Sequence, residues 1–467
     1  MLLKYFYDDK LAQASYLVGC PANGEALVID PARDVQPYLD AAEHHGLRIT
    51  RVVETHIHAD YASGAHELAY QTGSTLYLSG HQPEDHPELA YDFADDVDVE
   101  CVTDGDVITM GSVRLDVIHT PGHTPEHLVL LLTDSDKEQP VGIFTGDCLF
   151  VGDMGRPDLL EQSLHVADTQ EAGARQQFAN MQKLSGMADY LQLWPGHGAG
   201  SACGKALGAM PSTTLGYEKL VSPAFQFDDE TAFADWLLSD QPEAPHYFGQ
   251  MKKINRVGPQ LLHELDTPLH LDKGDFELAR DGGELIIDAR SSDEYVKAHM
   301  PGTLHVPKTT DRFSTYAGWY IDYDAPVYVL AEKSDLPRLI KELRAIGVDN
   351  IPGCFTPEVI SGSVETVSRV SVDEATTLVR DGAVILDVRN TNERHDQYIP
   401  GSIHIPMGQI PERIDELPRD RLIITQCGSG IRSMVVTSIL KNHGFDVANL
   451  EGGIDAWIEE GRALEQV

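Results

Sequence analysis

The feature that most restricts the fold of this chain is a motif that occurs twice. Leu285-Ile286-Ile287-Asp288-Ala289-Arg290 is followed by Glu294 and then by Met300-Pro301-Gly302-Thr303-Leu304-His305-Val306-Pro307. Ile385-Leu386-Asp387-Val388-Arg389 is followed by Glu393 and then by Ile399-Pro400-Gly401-Ser402-Ile403-His404-Ile405-Pro406. The copies lie roughly 100 residues apart, the size of a small domain. Each opens with an unbroken apolar run, Leu285–Ile287 or Val384–Leu386, which reads as a parallel strand buried on both faces. Helical stretches follow, Asp335–Ile346 in one copy and Ile431–His443 in the other. Alternating strand and helix predicts an α/β unit around a parallel sheet.

The remainder of the 467 residues needs at least one further core. Up to about residue 250 there is no repeat. Short strands (Ala26–Asp30, Ile49–Val53, Leu115–Ile118, Val141–Thr145) alternate with helices such as Val35–His45 and Asp168–Lys183. The stretch Met251–Leu265, with Gly258-Pro259, reads as a linker, and a second boundary falls near Ser361–Val367. Three domains are expected, over 1–254, 270–362 and 366–467. Acidic residues number 74 against 35 basic, a formal charge of -39. Nucleic acid and anionic membranes are poor partners for that surface. The charge fits adaptation to a salty cytoplasm or simply an acidic soluble enzyme. No apolar run reaches the ~18 residues that span a bilayer, and the N-terminus lacks a signal-peptide core. Six scattered cysteines form no disulfide framework or zinc-binding pair. A reduced, cytoplasmic protein is expected.

Chemistry-bearing residues in the first 250 positions sit at strand ends. They are His56, His58 and Asp60 in Thr55-His56-Ile57-His58-Ala59-Asp60-Tyr61, His123 in Thr120-Pro121-Gly122-His123-Thr124, Asp147 in Thr145-Gly146-Asp147, and His197 in Pro195-Gly196-His197. Gly and Pro fix such loops so that imidazoles and carboxylates point inward. Four such motifs together predict a metal site. The set resembles the metallo-β-lactamase superfamily and, within it, the persulfide dioxygenases. The resemblance implies an αββα sandwich. It also implies one Fe(II) held by His56, His123 and Asp147, with His58, Asp60 and His197 as supporting groups or remnants of a second site. That superfamily's signature has a histidine where Tyr61 stands. A phenol with a pKa near ~10 is a poor metal ligand at neutral pH, so a single ion is expected. Arg156, in Gly155-Arg156-Pro157-Asp158, is expected to clamp an anionic group of the substrate or to form a structural ion pair. Cys203, six residues past His197, is a candidate sulfur carrier or a small buried residue.

In the second copy of the repeat, Cys427-Gly428-Ser429-Gly430-Ile431-Arg432 joins a strand ending at Thr425 to a helix. A thiol there faces loop amides and a helix N-terminus, which favour a thiolate and would cradle a persulfide. Arg432 adds fixed positive charge. With Asp387, Arg389, Glu393 and the downstream Gly452-Gly453 this resembles the rhodanese sulfurtransferases, which implies Cys427 as the sulfur-accepting residue. The first copy resembles rhodanese too, but reads Ala331-Glu332-Lys333-Ser334-Asp335 at that loop and is expected to be silent.

The combined resemblance implies oxidation of a small thiol persulfide to sulfite by O2. Sulfur transfer through Cys427 to or from thiosulfate accompanies it, in a homo-oligomer. The alternatives are a zinc-dependent, glyoxalase-II-like thioester hydrolase with a rhodanese tail, and a non-catalytic sulfur carrier or redox sensor.

Overall fold

A computed structural model describes residues 1–466 except 84, 85, 94, 95, 135, 136, 165 and 168. The chain forms two compact units, Met1–Glu264 with Arg344–Gly347, and Leu265–Leu343 with Val348–Val467.

The first unit holds two six-stranded sheets. One runs in chain order through β1 (Leu2–Asp8), β2 (Gln13–Cys20), β3 (Glu25–Ile29), β4 (Arg48–Val53), β5 (Thr75–Ser79) and β6 (Val99–Val102). The other contains β7 (Val107–Met110), β8 (Val113–His119), β9 (Leu128–Thr133), β10 (Gly142–Gly146), β11 (Gln192–Pro195) and β12 (Thr213–Thr214), again in chain order. Side chains from both sheets, among them Tyr16, Leu27, Val53, Leu115, Leu130 and Phe144, form the layer between them. Helices Gln36–His44 and Ala65–Thr72 cover one outer face, and helix Thr169–Ser185 packs on the other. The result is a four-layer αββα sandwich. The expected strands recur within two residues. So does the helix expected over Asp168–Lys183, although Asp168 itself lies outside the described residues.

The expected linker differs. Tyr247–Val257 is a helix with Tyr247, Met251, Lys252 and Asn255 buried, and it ends at Gly258, whose φ is +87°. Gly258-Pro259 marks the stop of that helix rather than a flexible joint.

The second unit holds two five-stranded parallel sheets of identical order. The first comprises β13 (Leu269–His270), β14 (Leu285–Asp288), β15 (Leu304–His305), β16 (Val327–Leu330) and β17 (Gly353–Phe355), ordered β13-β17-β16-β14-β15. The second comprises β18 (Ser368–Val370), β19 (Val384–Asp387), β20 (Ile403–His404), β21 (Ile423–Gln426) and β22 (Val447–Leu450), ordered β18-β22-β21-β19-β20. The repeat is therefore a repeat of topology. The two halves meet along helix Ile431–Asn442, where Ser438 Oγ accepts the His305 N–H at 3.0 Å and Asn442 bonds Gly302 and Thr303. Among the described residues no helix is long and apolar enough to cross a membrane.

Candidate metal and thiol sites

In the first unit β8, β10 and β11 run in the same direction, and their C-terminal ends carry His123, Asp147 and His197. His56, His58 and Asp60 follow β4. All six are buried. His56, His123 and Asp147 offer ligand atoms within 4.8 Å of one another. His56 Nε2 and His123 Nε2 lie 3.9 and 3.5 Å from Asp147 Oδ2.

The surrounding hydrogen bonds set which ring nitrogen is free. Thr55 N–H and Oγ1–H both donate to Asp30, at 2.7 and 2.8 Å. The Thr55 oxygen therefore accepts from His56 Nδ1–H at 2.9 Å, leaving Nε2 with its lone pair. His123 Nδ1–H donates to the Arg156 carbonyl, and His197 Nδ1–H to the Ala12 carbonyl, both at 2.9 Å. Among the described residues, no N–H or O–H group hydrogen-bonds His123 Nε2, His197 Nε2 or either carboxylate oxygen of Asp60 and Asp147. Orphaned buried atoms are costly, and a cation at this face would satisfy them. The donor set fits a metal ion. Burial drives His56 and His123 well below the usual imidazole range, which keeps both neutral as ligands must be.

Residues that sequence reasoning missed hold the frame. Asp30 and Ala12 both adopt left-handed backbone, with φ of 49° and 53°. Such strain persists only where contacts over-determine it. Asp30 receives Thr55, and its carbonyl accepts from Gln13 and Tyr61. The Asp147 N–H donates to His127 Nε2 at 3.0 Å, and burial pushes His127 down to about 3, so it stays a neutral acceptor. The helix Tyr247–Val257 backs the whole His56–Tyr61 loop. Lys252 Nζ donates to the Ile57 carbonyl, Asn255 to the His58 and Tyr61 carbonyls, and Tyr247 to the Asp60 carbonyl. From the far side Glu126 accepts the Ile57 N–H at 2.7 Å.

His58 leaves the metal face. Its Nε2 lies 3.0 Å from Glu54 and 3.3 Å from Asp30. Burial lowers its pKa, but Asp30 and Glu54 outweigh that and raise it to about 10. Tyr61 also turns away, toward the Asp30 carbonyl. His197 lies between Asp60 and Asp147, at 3.3 and 3.5 Å. Cys203 joins Asp60 and His197 in a second group whose ligand atoms lie within 4.8 Å. Burial, with Asp60 and Asp147 nearby, raises the Cys203 thiol well above its ordinary value.

Of the two roles expected for Arg156, its geometry is that of the structural ion pair and not of the clamp. Its guanidinium is fully buried and donates to both oxygens of Asp158, to the Ala202 and Pro242 carbonyls, and to Gln162. No donor is left for a substrate. Its carbonyl orients His123, and its contact with Ala202 fixes the loop before Cys203. Gly155 beside it has no room for a side chain, since a Cβ would stand 1.7 Å from the Asp147 carbonyl oxygen.

In the second unit Cys427 follows β21 and is buried. Its Sγ accepts the Gly430 N–H at 3.2 Å and lies 3.5 Å from Ser433 Oγ. Gly430 has φ +94°, which turns the loop into helix Ile431–Asn442. The loop carbonyls of Cys427 and Gly428 accept the Ile454 and Asp455 N–H groups. Gly453 makes that approach possible, because a Cβ there would lie 2.3 Å from both oxygens. Arg432 is held bidentate by Glu393 at 2.6 and 2.7 Å beside Gly428. In the other half β16 leads into Ala331 with no thiol. Cys354 lies in β17, buried among strands.

These features define a metal-binding sandwich joined to a thiol-bearing α/β unit, and comparison with known proteins agrees. Residues 8–190 match the family model of the metallo-beta-lactamase superfamily, and residues 371–460 match that of the rhodanese-like domain. A metallo-beta-lactamase from Staphylococcus aureus subsp. aureus COL, solved by crystallography, is 40% identical with a TM-score of 0.67, covering 76% of this chain and 99% of that one. The putative sulfurtransferase YtwF of Bacillus subtilis is 42% identical over 73 residues, 16% of this chain and 71% of that protein. The hydroxyacylglutathione hydrolase of Nitrosococcus oceani is 37% identical over 137 residues, 29% of this chain and 47% of that protein. The chain thus spans about half the length of the hydrolases it matches. The chain belongs to the metallo-beta-lactamase superfamily and carries a C-terminal rhodanese-like domain.

Proposed function

We propose that the first unit is an iron(II)-dependent dioxygenase of small thiol persulfides and that Cys427 moves sulfane sulfur to or from thiosulfate. The withdrawal of His58 carries this reading. Once His58 is paired with Asp30 and Glu54, His56, His123 and Asp147 are left as a group of two imidazoles and one carboxylate. Such a set with open positions suits non-haem iron(II) and O2. Bound there, iron(II) would supply the one-electron chemistry that lets O2 oxidise a closed-shell sulfur. The overall change is RSS⁻ + O2 + H2O → RSH + HSO3⁻. Thr55 and the Arg156 carbonyl hold the two imidazoles in the ligating tautomer, and His127 holds the Asp147 backbone.

At the second site the Cys427 thiolate attacks the outer sulfur of a persulfide and expels the thiol. The Cys427 persulfide then gives that sulfur to sulfite, forming thiosulfate and restoring the thiolate. The Gly430 amide, already on Sγ, steadies the anion through both steps. The half around β13–β17 is a silent copy of the same fold. Joining the two active portions in one chain raises the concentration of one site's product at the other.

The test is O2 uptake and sulfite formation by protein loaded anaerobically with Fe(II). His56→Ala should abolish both while sulfur transfer by Cys427 persists. Loss of both activities would refute separate sites.

One observation favours a second reading. Asp60, His197 and Cys203 lie together beside Asp147, so a zinc pair performing thioester hydrolysis has a ligand set too. The relatives named hydroxyacylglutathione hydrolase point the same way. Two zinc ions per chain and thioester cleavage without O2 uptake would establish it.

A further inference from the structure

The half around β13–β17 has no thiol at its loop, yet one of its helices reaches the site of the other half. Helix Phe313–Gly318 is followed by Trp319 and Tyr320. Tyr320 O–H donates to the Met407 carbonyl at 2.6 Å, and Gly408 has no room for a side chain because the Trp319 ring lies against it. From that contact a run of hydrogen bonds leads to the nucleophile. Met407 N–H donates to the Val388 carbonyl at 3.1 Å, and Val388 N–H to the carbonyl of Gln426, the residue before Cys427, at 3.0 Å. Tyr316 stands four residues before Tyr320, on the same side of the turn. It is partly buried, and its hydroxyl interacts electrostatically with Arg432, Cys427 and Glu393. Among the described residues no group hydrogen-bonds that hydroxyl. Burial raises the phenol above its ordinary pKa and outweighs Arg432, so it stays an O–H donor. The charges at the loop largely offset one another. Arg432 is tied bidentate to Glu393 at 2.6 and 2.7 Å, and Asp455 lies beside Gly428. A neutral O–H adds recognition of an acceptor oxygen that those carboxylates do not cancel.

We infer that the silent half completes the Cys427 site, with the Tyr316 hydroxyl donating to an oxygen of thiosulfate as its sulfur passes to Cys427 and to an oxygen of sulfite on the way back. The inference rests on the sulfur-transfer reading of Cys427 and names a residue that sets its donor preference. In the forward step Cys427 Sγ bonds the outer sulfur of thiosulfate. The bond from that sulfur to the sulfonate sulfur breaks, and its electron pair leaves with sulfite, so no oxidant or reductant is consumed. Negative charge grows on the sulfite oxygens as the bond breaks, and a fixed donor there strengthens with it. A thiol persulfide expels a thiolate that carries no oxygen at that place and gains little from Tyr316.

The test compares two sulfur donors in the full-length protein. Transfer from thiosulfate and from glutathione persulfide to cyanide, a common acceptor, is measured without oxygen so that the first unit consumes neither donor. Tyr316→Phe removes one oxygen atom and keeps the ring. It should lower kcat/KM for thiosulfate about 10- to 30-fold, the range of a hydrogen bond to a charged group. The value for the persulfide should fall by less than about threefold, and the melting temperature should hold. Tyr320→Phe, which loosens the docking contact at Met407, should lower the melting temperature and shift both donors together. A thiosulfate-to-persulfide ratio unmoved in Tyr316→Phe would overturn the inference, and so would an equal loss with both donors, which marks a packing role. A wild type that takes sulfur from neither donor would sink the sulfur-transfer reading and this inference with it. Activity on both donors with no response to Tyr316→Phe would sink the inference alone.

Discussion

The two halves of the second unit share a scaffold and differ in a loop. Both order their five strands alike, and both bury an aspartate–arginine pair after the second of them. Arg290 grips Asp288 and the Ala298 carbonyl, and Arg389 grips Asp387 and the Gln397 carbonyl. The Glu that follows caps its helix through Ser291 in one half and through Asn390 in the other. The halves part at the end of the central strand. One has Cys427, Gly430 and Arg432, the other Ala331, Glu332 and Asp335, with Asp335 tied to Lys308 at 2.6 Å. Glu393 reaches across to Arg432, whereas Glu294 is spent on Ser291. The residues that build the fold thus recur in both halves, whereas Cys427, Arg432 and the Glu393–Arg432 pair occur in one half only.

The largest effect should come from the loop. Cys427→Ser should lower thiosulfate–thiol sulfur transfer by about three orders of magnitude or more, as loss of a nucleophile does. Persulfide-driven O2 uptake should be retained. Cys354→Ser should leave both rates intact, and Ala331→Cys should add no transfer, because no Gly-rich amide cradle surrounds it. Measurable transfer by Ala331→Cys would break the comparison. The scaffold pair should behave alike in both halves. Asp288→Ala and Asp387→Ala each strand a buried guanidinium and should cost about 3–5 kcal/mol in denaturant titration. A large loss in one half with none in the other would show that the halves are not held by the same device.

Much of this architecture is legible in the sequence, for physical reasons. Buried parallel strands are continuous apolar runs, so β14, β16, β19 and β21 stand out. The ligand candidates stand out because glycine and proline bracket them at strand ends. The helix Tyr247–Val257 does not stand out, since its inward face carries Tyr247, Lys252 and Asn255, polar groups that break the apolar period. Those groups are polar because they bond the backbone of the His56–Tyr61 loop. Arg156 stayed open between two readings for a similar reason. A lone arginine near a metal motif reads as a substrate clamp or a structural ion pair, and its five hydrogen bonds become visible only when Asp158, Gln162, Ala202 and Pro242 are brought together. Asp30 and Glu54 carry no motif, yet they decide that His58 is withdrawn.

A smaller contrast concerns the two glutamates. Glu393→Gln should release Arg432 and slow sulfur transfer about tenfold, the value of one charge-assisted contact. Glu294→Gln should cost roughly 1 kcal/mol of stability through the helix cap and leave transfer unchanged. Their acid behaviour sharpens the point. Burial pulls Glu393 upward, but the Arg432 hydrogen bond and charge outweigh it and hold the carboxyl below its ordinary range. Glu294 is also held low, by its bond to Ser291. A depressed folded-state pKa means the stabilisation is complete above the ordinary glutamate range and lost as pH falls through the folded value. Both halves therefore weaken toward acid with the same sign. Only in the Cys427 half does protonation also unhook an arginine from the site, so transfer should decline on the acid side before any unfolding signal appears. Glu393→Gln should erase that acid limb, and Glu294→Gln should keep it. An acid limb that survives Glu393→Gln would assign the titration to another group and leave Glu393 a scaffold residue like its counterpart.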